Sequence, residues 1–265
     1  NKVIEKIQCQ FSMTFGRNIY IYLYLYLQND VSIKKAIDEA KYLNQKLKNN
    51  LLIVRITRPT TVQIMDYIKE ELKHFPSIIL LIDYGNKGFN KITKEDFRKN
   101  NIGMIMLTPE MFKNKENIQS VLDLKIPIFK FGKENLKAVK RTVIILNDTN
   151  SYEQISPIVF DISSQLKIKT KIFDLDPVGD KEGKTNLLDH FENLAKIFNE
   201  KIEVVTSGQN PIRELKKQKD MLQLLPLKEK MFKKRFFFKF LYTNSDFIAF
   251  DLNKYNQLLI PIVEE

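Results

Sequence analysis

The chain has 265 residues, of which 43% are hydrophobic and 28% charged. This length suits two domains of about 130 residues, and the balance excludes a chain that is disordered throughout. The 43 Lys and Arg residues exceed the 32 Asp and Glu residues, so the net charge of +11 favours contact with nucleic acid or an anionic membrane surface. A single cysteine, Cys9, excludes an intrachain disulfide and a multi-cysteine zinc site.

The first half of the chain predicts strands and helices in alternation. Residues 19–27 alternate Tyr with Ile or Leu, which gives two apolar faces, as in a strand inside a parallel sheet, but the run is too short to span a membrane as a ~20-residue helix. From Ser32 onward apolar residues recur at helical spacing, with Ser32 or Asp30 as the predicted N-cap. The further predicted elements are a strand at 51–56, a helix at 61–75, a strand at 77–83, a short helix at 91–100, a strand at 102–107, a helix at 117–124 and a strand at 126–131.

The second half predicts the same plan again. Its elements are a strand at 141–147, a helix at 155–166, a strand at 169–175, a helix at 186–198, a strand at 201–206, a helix at 211–219, a strand at 221–227 and a strand at 257–263. An aspartate follows the first strand of each half, Asp30 in one and Asp148 in the other. Each half also ends on an Ile-Pro-Ile sequence, at 126–128 and at 260–262.

These patterns predict an α/β protein with two tandem doubly wound, mostly parallel, five-stranded sheets. The predicted units are residues 17–132 and residues 141–265, joined by a polar, Lys-rich connection at 132–140. Residues 1–16 belong to neither unit and are interpreted as an N-terminal extension or a linker.

The order of elements resembles the universal stress protein family, whose fold is of the adenine nucleotide alpha hydrolase-like type. The stretch 143–148 (Val-Ile-Ile-Leu-Asn-Asp) resembles the family's opening strand with its Asp, and 221–225 resembles the fourth strand. Residues 259–263 and 126–129 resemble the closing strand with its apolar-Pro-apolar sequence. The resemblance covers residues 17–263 and depends on element order and short apolar stretches.

The chain departs from ATP-binding members of that family at the phosphate loop. Those members carry a glycine-rich stretch after the fourth strand, because the backbone must approach the phosphates closely. Residues 108–113 and 226–231 contain no glycine. The resemblance therefore implies that Asp30 and Asp148 are relics of a nucleotide-binding position or helix caps, and that the chain has no cofactor.

Tandem degenerate units of this kind are also similar to cytosolic C-terminal domains of membrane transporters, including cation/proton antiporters and cation–chloride or amino-acid cotransporters. The positive charge, the lost loop and the absence of a starting Met favour this branch. The resemblance implies a non-catalytic regulatory or interaction module at the inner face of the membrane, attached to a membrane-embedded transporter domain of the same chain. The alternatives are a stand-alone tandem universal stress protein that binds a nucleotide or another small ligand, an enzyme of the adenine-nucleotide-hydrolase-like group and a nucleic-acid-binding protein.

The same resemblance implies a homodimer that pairs through the fifth strands, by edge-to-edge strand addition. The residues assigned to this contact are Ile126, Ile128, Phe129, Leu259, Ile260 and Ile262.

Two further segments have a functional and a structural interpretation. Residues 179–185 come within one residue of a P-loop, yet only three residues separate the two glycines, which favours a solvated connection. A segment rich in Phe carries a basic surface that suits an anionic membrane better than a nucleic acid, although its Phe side chains are also compatible with core packing. Its basic residues are Lys228, Lys230, Lys233, Lys234, Arg235 and Lys239.

The two histidines, His74 and His190, are far from Cys9 in sequence, so we expect neither a metal site nor a catalytic triad.

Overall fold

The structure of the chain is a computed structural model that describes residues 20–25, 30–47, 51–57, 61–82, 89, 91, 94–95, 102–146, 149–174, 181–197, 202–206, 211–229, 250 and 252–262. The chain divides into two compact units, Asn1–Phe131 and Gly132–Glu265. Residues 132–140, which the sequence predicts to be a connection, therefore belong to the second unit.

The first unit is built from parallel strands that alternate with helices. Its described elements are β1 (Tyr20–Leu25), α1 (Asp30–Lys46), β2 (Leu51–Thr57), α2 (Val62–Leu72), β3 (Ser77–Ile82), β4 (Ile102–Leu107), a 3₁₀ turn (Pro109–Lys113), α3 (Lys115–Leu124) and β5 (Ile128–Lys130). The strand order is β3-β2-β1-β4-β5, and every neighbouring pair is parallel. The doubly wound sheet that the alternation predicts is confirmed for this unit.

The periodicity of the sequence explains how these elements pack. The residues of α1 that recur at helical spacing are buried, and so is the middle of β2, which has apolar residues on both faces. Capping side chains fix the start of two helices: Thr61 Oγ1 accepts from the Ile64 N–H at 3.3 Å, and Asn114 Oδ1 accepts from the Glu116 N–H at 2.8 Å. Helix α3 ends at Lys125, which has a φ of 54° and adopts the left-handed conformation common at helix C-termini.

The second unit has the same alternation. Its described elements are a 3₁₀ turn (Leu136–Ala138), β6 (Arg141–Leu146), α4 (Thr149–Leu166), β7 (Lys169–Asp174), α5 (Lys181–Ile197), β8 (Ile202–Thr206), α6 (Pro211–Lys217), β9 (Met221–Leu227) and β10 (Asn256–Pro261). The strand order is β8-β7-β6-β9-β10, again with all neighbours parallel. Each unit thus places its first strand in the centre and its fourth and fifth strands on one side.

Two helices of the second unit begin earlier than the sequence predicts. Helix α4 begins at Thr149 instead of residue 155, which places Pro157 inside the helix, where its missing N–H leaves one backbone carbonyl without its usual donor. Helix α5 begins at Lys181 instead of residue 186. The interpretation of residues 179–185 as a solvated connection is therefore wrong for 181–185, which are helical. Of the short helix predicted at 91–100, the described residues 91, 94 and 95 are helical.

The start of the second unit is fastened to its last strand. The Gly132 N–H donates to Asn256 Oδ1 at 2.7 Å, and Asn256 Nδ2 donates to the Glu134 carbonyl at 3.0 Å. A side chain at Gly132 would collide with the neighbouring backbone, because a Cβ there would lie 2.1 Å from the carbonyl carbon of Tyr255. The glycine is required by this close approach and not by its φ.

Tyr255, the residue directly before β10, joins the start of that strand to helix α6. Its side chain is buried, and its hydroxyl lies 2.8 Å from the Gln218 carbonyl oxygen, 3.0 Å from that of Lys216 and 3.3 Å from that of Leu215. These carbonyls belong to the last turn of α6 and the residue after it, where intrahelical donors run out.

Candidate functional site

The carboxyl edge of the sheet in the first unit is the place where a ligand would bind in a doubly wound fold. The strand order reverses between β1 and β4, since β2 and β3 lie on one side of β1 and β4 and β5 on the other, and ligands bind outside the carboxyl ends of strands at such a switch point. Asp30 is the first residue of α1 and thus lies at this edge, although its side chain lies outside the described structure. Asp148 lies outside the described residues and directly precedes α4.

The segment after β4 fills this edge with side chains. Thr108 and the 3₁₀ turn Pro109–Lys113 replace a glycine-rich loop, and Met111 and Phe112 point inward with 3% and 4% of their surface exposed. The turn is held by hydrogen bonds, since the Thr108 carbonyl accepts from the Met111 N–H at 3.1 Å and the Met111 carbonyl accepts from Asn117 Nδ2 at 3.1 Å. The backbone of this turn therefore has no glycines that could approach a phosphate group closely.

A buried lysine lies beside this turn. Lys130, the last residue of β5, pairs in register with Leu107 and is only 2% exposed. Its Nζ lies 5.9 Å from the centroid of the Phe112 ring, a distance typical of a cation–π interaction. The Thr108 hydroxyl is also buried and finds no hydrogen-bond partner among the described residues. Sequence reasoning missed Lys130, although it is the single charged residue of the predicted strand at 126–131.

The second unit has a lysine at the position that corresponds to Thr108. In the first unit the Phe131 N–H donates to the Leu107 carbonyl at 3.1 Å, and in the second unit the Ile262 N–H donates to the Leu227 carbonyl at 3.2 Å. Leu107 and Leu227 therefore occupy equivalent positions in the two units, and so do the residues that follow them. In the second unit that residue is Lys228, which is 1% exposed. The prediction that Lys228 contributes to a basic surface is therefore wrong, because the end of β9 takes this side chain into the interior. The other basic residues of that segment, Lys230, Lys233, Lys234, Arg235 and Lys239, lie outside the described residues.

The residues predicted to form a dimer contact are covered within a single chain. On β5, Ile128 and Phe129 are 0% and 1% exposed, and on β10, Leu259 and Ile260 are 0% and 5% exposed. Ile126 and Ile262 flank these strands and are half-buried. Phe129 packs edge-on against Phe131, with 5.3 Å between ring centroids. The side chains of these strands thus offer little apolar surface to a second chain, and dimerisation stays a prediction.

The two histidines lie in different units. His74 follows α2 and is exposed, and His190 lies on α5 with its ring centroid 6.1 Å from that of Phe191. Within the part of the chain that the structure describes, no three His, Cys, Asp or Glu residues are grouped so as to hold a metal ion. Cys9 lies outside that part.

No family model matches the chain, and no curated protein does. Solved structures do match along nearly the whole chain. A functionally unknown protein from Pseudomonas aeruginosa PAO1 is 10% identical with a TM-score of 0.61, and 94% of each chain is covered. A putative universal stress protein from Pseudomonas aeruginosa UCBPP-PA14 is 11% identical with a TM-score of 0.60, over 93% of this chain and 94% of that one.

The cytoplasmic domain of a prokaryotic cation chloride cotransporter is also 11% identical, with a TM-score of 0.54 over 91% of this chain and 95% of that chain. At these identities the likeness shows the fold, which is the α/β fold of universal stress protein-like proteins. Among the helices of the described residues, none has both the length and the apolar character needed to cross a bilayer.

Proposed function

We propose that the chain is a non-catalytic regulatory or interaction module of a membrane cation transporter, built from two degenerate universal stress protein-like units. The observation that carries the proposal is the carboxyl edge of the first unit, where Met111, Phe112 and Lys130 are buried in place of a glycine-rich phosphate loop. The likeness to a cotransporter's cytoplasmic domain supports the transporter branch.

The proposed partner is a membrane-embedded transporter domain of the same chain, with this module at the inner face of the membrane. A net charge of +11 supports this position, because the cytoplasmic leaflet is anionic. A homodimer that pairs through the fifth strands is part of the same proposal. Sedimentation of the chain over a wide concentration range tests it, and a mass that stays monomeric throughout would contradict the dimer.

A transport assay of the complete protein tests the main proposal. The full natural reading frame is expressed, reconstituted into vesicles and compared with a version that lacks these 265 residues. We expect cation flux from the complete protein, and a changed rate or a changed regulation of that flux after the deletion. Equal flux with and without the module, or a complete reading frame that contains no membrane domain, would refute it.

The alternative is a stand-alone protein that binds a nucleotide, which the likeness to a putative universal stress protein favours. ATP and AMP distinguish the two functions, because a ligand that binds only the folded state raises the melting temperature. The proposed module is expected to melt at the same temperature with and without either nucleotide. A saturable rise with ATP or AMP would support the alternative.

A further inference from the structure

The amino edge of the sheet in the second unit, where its parallel strands begin, is rich in lysine. Backbone hydrogen bonds bring separate segments of the chain together there. The Lys140 N–H donates to the Asp220 carbonyl at 2.8 Å, and the Lys169 N–H donates to the Lys140 carbonyl at 3.4 Å. The starts of β6, β7 and β9 therefore lie side by side. Only two residues separate α4 from β7, so Lys167 lies at the same edge.

The segment before β6 and the end of α6 belong to this edge as well. The Lys133 N–H donates to the Lys254 carbonyl at 2.9 Å, two residues before β10 begins, and the Tyr255 hydroxyl lies 3.0 Å from the Lys216 carbonyl oxygen. We call the exposed lysines of these segments the basic edge. They are Lys133, Lys137, Lys140, Lys167, Lys169, Lys216, Lys217, Lys219 and Lys254.

Carboxylates offset only part of the positive charge of the basic edge. Some of its lysines form ion pairs with Nζ–O distances of 2.6 to 3.4 Å, and these pairs are Lys140–Asp220, Lys217–Glu214 and Lys254–Glu134. Glu203, at the start of β8, pairs with Lys171 and so adds no uncompensated negative charge. Within the described part of the chain, no carboxylate pairs with the other lysines of the basic edge, which are Lys133, Lys137, Lys167, Lys169, Lys216 and Lys219. The basic edge therefore attracts an extended anionic surface.

The side chains around the basic edge fit an anionic lipid surface better than a nucleic acid. Proteins that hold single-stranded nucleic acid combine positive charge with exposed aromatic rings on which bases stack, whereas the ring of Tyr255 at this edge is buried. An exposed apolar side chain is present instead. Ile197, the last residue of α5, is 44% exposed, and it lies at the amino edge because α5 connects two parallel strands. Lysines beside an exposed apolar residue are typical of surfaces that enter the headgroup region of a membrane.

We propose that the basic edge of the second unit binds the anionic headgroups of a phospholipid membrane. This inference deepens the proposed function, on which it rests for a position at the membrane, by naming the face of the module that meets the lipid. The two proposals fail separately, because lipid binding is measured on this chain alone and cation flux is measured on the complete protein.

Cosedimentation of the full chain with vesicles tests the proposal. We expect binding to vesicles of phosphatidylserine and phosphatidylcholine in equal parts, and little binding to phosphatidylcholine alone. The binding should be lost when salt is raised from 0.1 M to 1 M, because the Debye length falls from about 10 Å to about 3 Å. Absence of binding to the phosphatidylserine vesicles, or equal binding to both kinds of vesicle, would overturn the proposal. Displacement from the vesicles by a random-sequence RNA at equal phosphate concentration would overturn the choice of lipid.

Two variants with the same net charge locate the binding surface. The basic-edge variant is K133Q/K137Q/K169Q/K216Q, and the matched control is K34Q/K69Q/K113Q/K115Q, which changes exposed lysines of the first unit. Each lysine near an anionic membrane contributes on the order of a fivefold change in binding, so we expect the basic-edge variant to bind at least about tenfold more weakly. The control should bind within about twofold of the unmodified chain, because its lysines lie elsewhere. Equal losses in the two variants would refute the surface, because net charge alone would then explain the binding.

Lysine acetylation of the unmodified chain gives a readout that does not depend on the folding of a variant. Acetylation of each lysine is followed by mass spectrometry with and without phosphatidylserine vesicles. We expect Lys137 and Lys169 to lose reactivity when the vesicles are present, whereas Lys34 and Lys113 of the first unit should react as before. Protection confined to the first unit, or equal protection of all four lysines, would refute the basic edge as the contact surface.

Discussion

Removal of the Tyr255 hydroxyl is expected to destabilise the second unit. The ring of this residue is buried, and its hydroxyl lies within 3.3 Å of three backbone carbonyl oxygens at the end of α6. The hydroxyl has one proton, so it counts as one hydrogen bond, although it alternates among the three acceptors. Y255F keeps the ring and removes a bond whose net worth is about 0.5–1.5 kcal/mol, and the cost rises to about 1–3 kcal/mol where the substitution leaves a buried acceptor without its donor.

The expected loss in the free energy of unfolding is therefore about 1–3 kcal/mol for Y255F. Urea unfolding followed by far-UV circular dichroism measures it, since the chain has no Trp to report by fluorescence. Hydrogen exchange at the amides of α6 and β9 assigns the loss to the second unit. The matched substitution is Y67F in the first unit, because the Tyr67 hydroxyl is buried and finds no hydrogen-bond partner among the described residues.

Y67F removes an unsatisfied group and is expected to leave stability unchanged or raise it by up to about 1 kcal/mol. The two tyrosine variants should thus differ in direction, although their chemical change is the same. A Y255F protein within about 0.5 kcal/mol of the unmodified chain, or a Y67F protein that loses as much as Y255F, would refute the reasoning.

Two more predictions follow from the same contacts. G132A places a Cβ 2.1 Å from the carbonyl carbon of Tyr255, so the backbone must move and the hydrogen bond from Gly132 to Asn256 is strained. We expect the free energy of unfolding in urea to fall by about 2–4 kcal/mol, against about 0.5 kcal/mol or less for K133A, a substitution of the exposed neighbouring residue. Equal stability of the two variants would contradict the close approach. Burial, aided by Glu71 and Asp38, raises the pKa of Tyr67 to about 12, and burial also raises the pKa of Tyr255. Because Tyr67 ionises at a lower pH in the unfolded chain than in the folded one, its ionisation leaves the free energy of unfolding unchanged below about pH 10 and lowers it as the pH rises from there toward 12. The raised pKa of Tyr255 gives a loss of the same sign at high pH. Ultraviolet titration should show a tyrosine that ionises near 12 and that disappears in Y67F; an unchanged high-pH titration in Y67F would contradict the assignment.

The alternation of strands and helices could be predicted because periodicity is a local property. In α1 and β2 the pattern of apolar residues alone determines which face is buried, and the structure agrees. The start of α5 was missed because Gly183 and the likeness of 179–185 to a P-loop suggested a loop, whereas the lysines and glutamate around that glycine support a helix. The start of α4 was missed because the helical spacing of apolar residues begins at Ile155, whereas the helix already begins at Thr149.

The sites were harder to predict because they depend on where strands end in space. Lys228 opens a run of basic residues, yet its place directly after β9 buries it. Lys130 stands alone in an apolar strand, and the sequence does not show that Phe112 lies 5.9 Å from its Nζ. A cavity of about 600 Å³ in the second unit is lined by residues of three elements, among them Ser163, Thr170 and Ile202, and these residues form no motif in the sequence.

The contact of Gly132 with the last strand has a consequence for how the second unit can be produced on its own. The segment 132–140 reads as a linker, so a truncated chain would be started at residue 141 by sequence alone. Such a chain would lack the hydrogen bonds that join Gly132 and Glu134 to Asn256. A version of this unit that keeps these hydrogen bonds therefore begins at Gly132, nine residues upstream of the first residue of β6, Arg141.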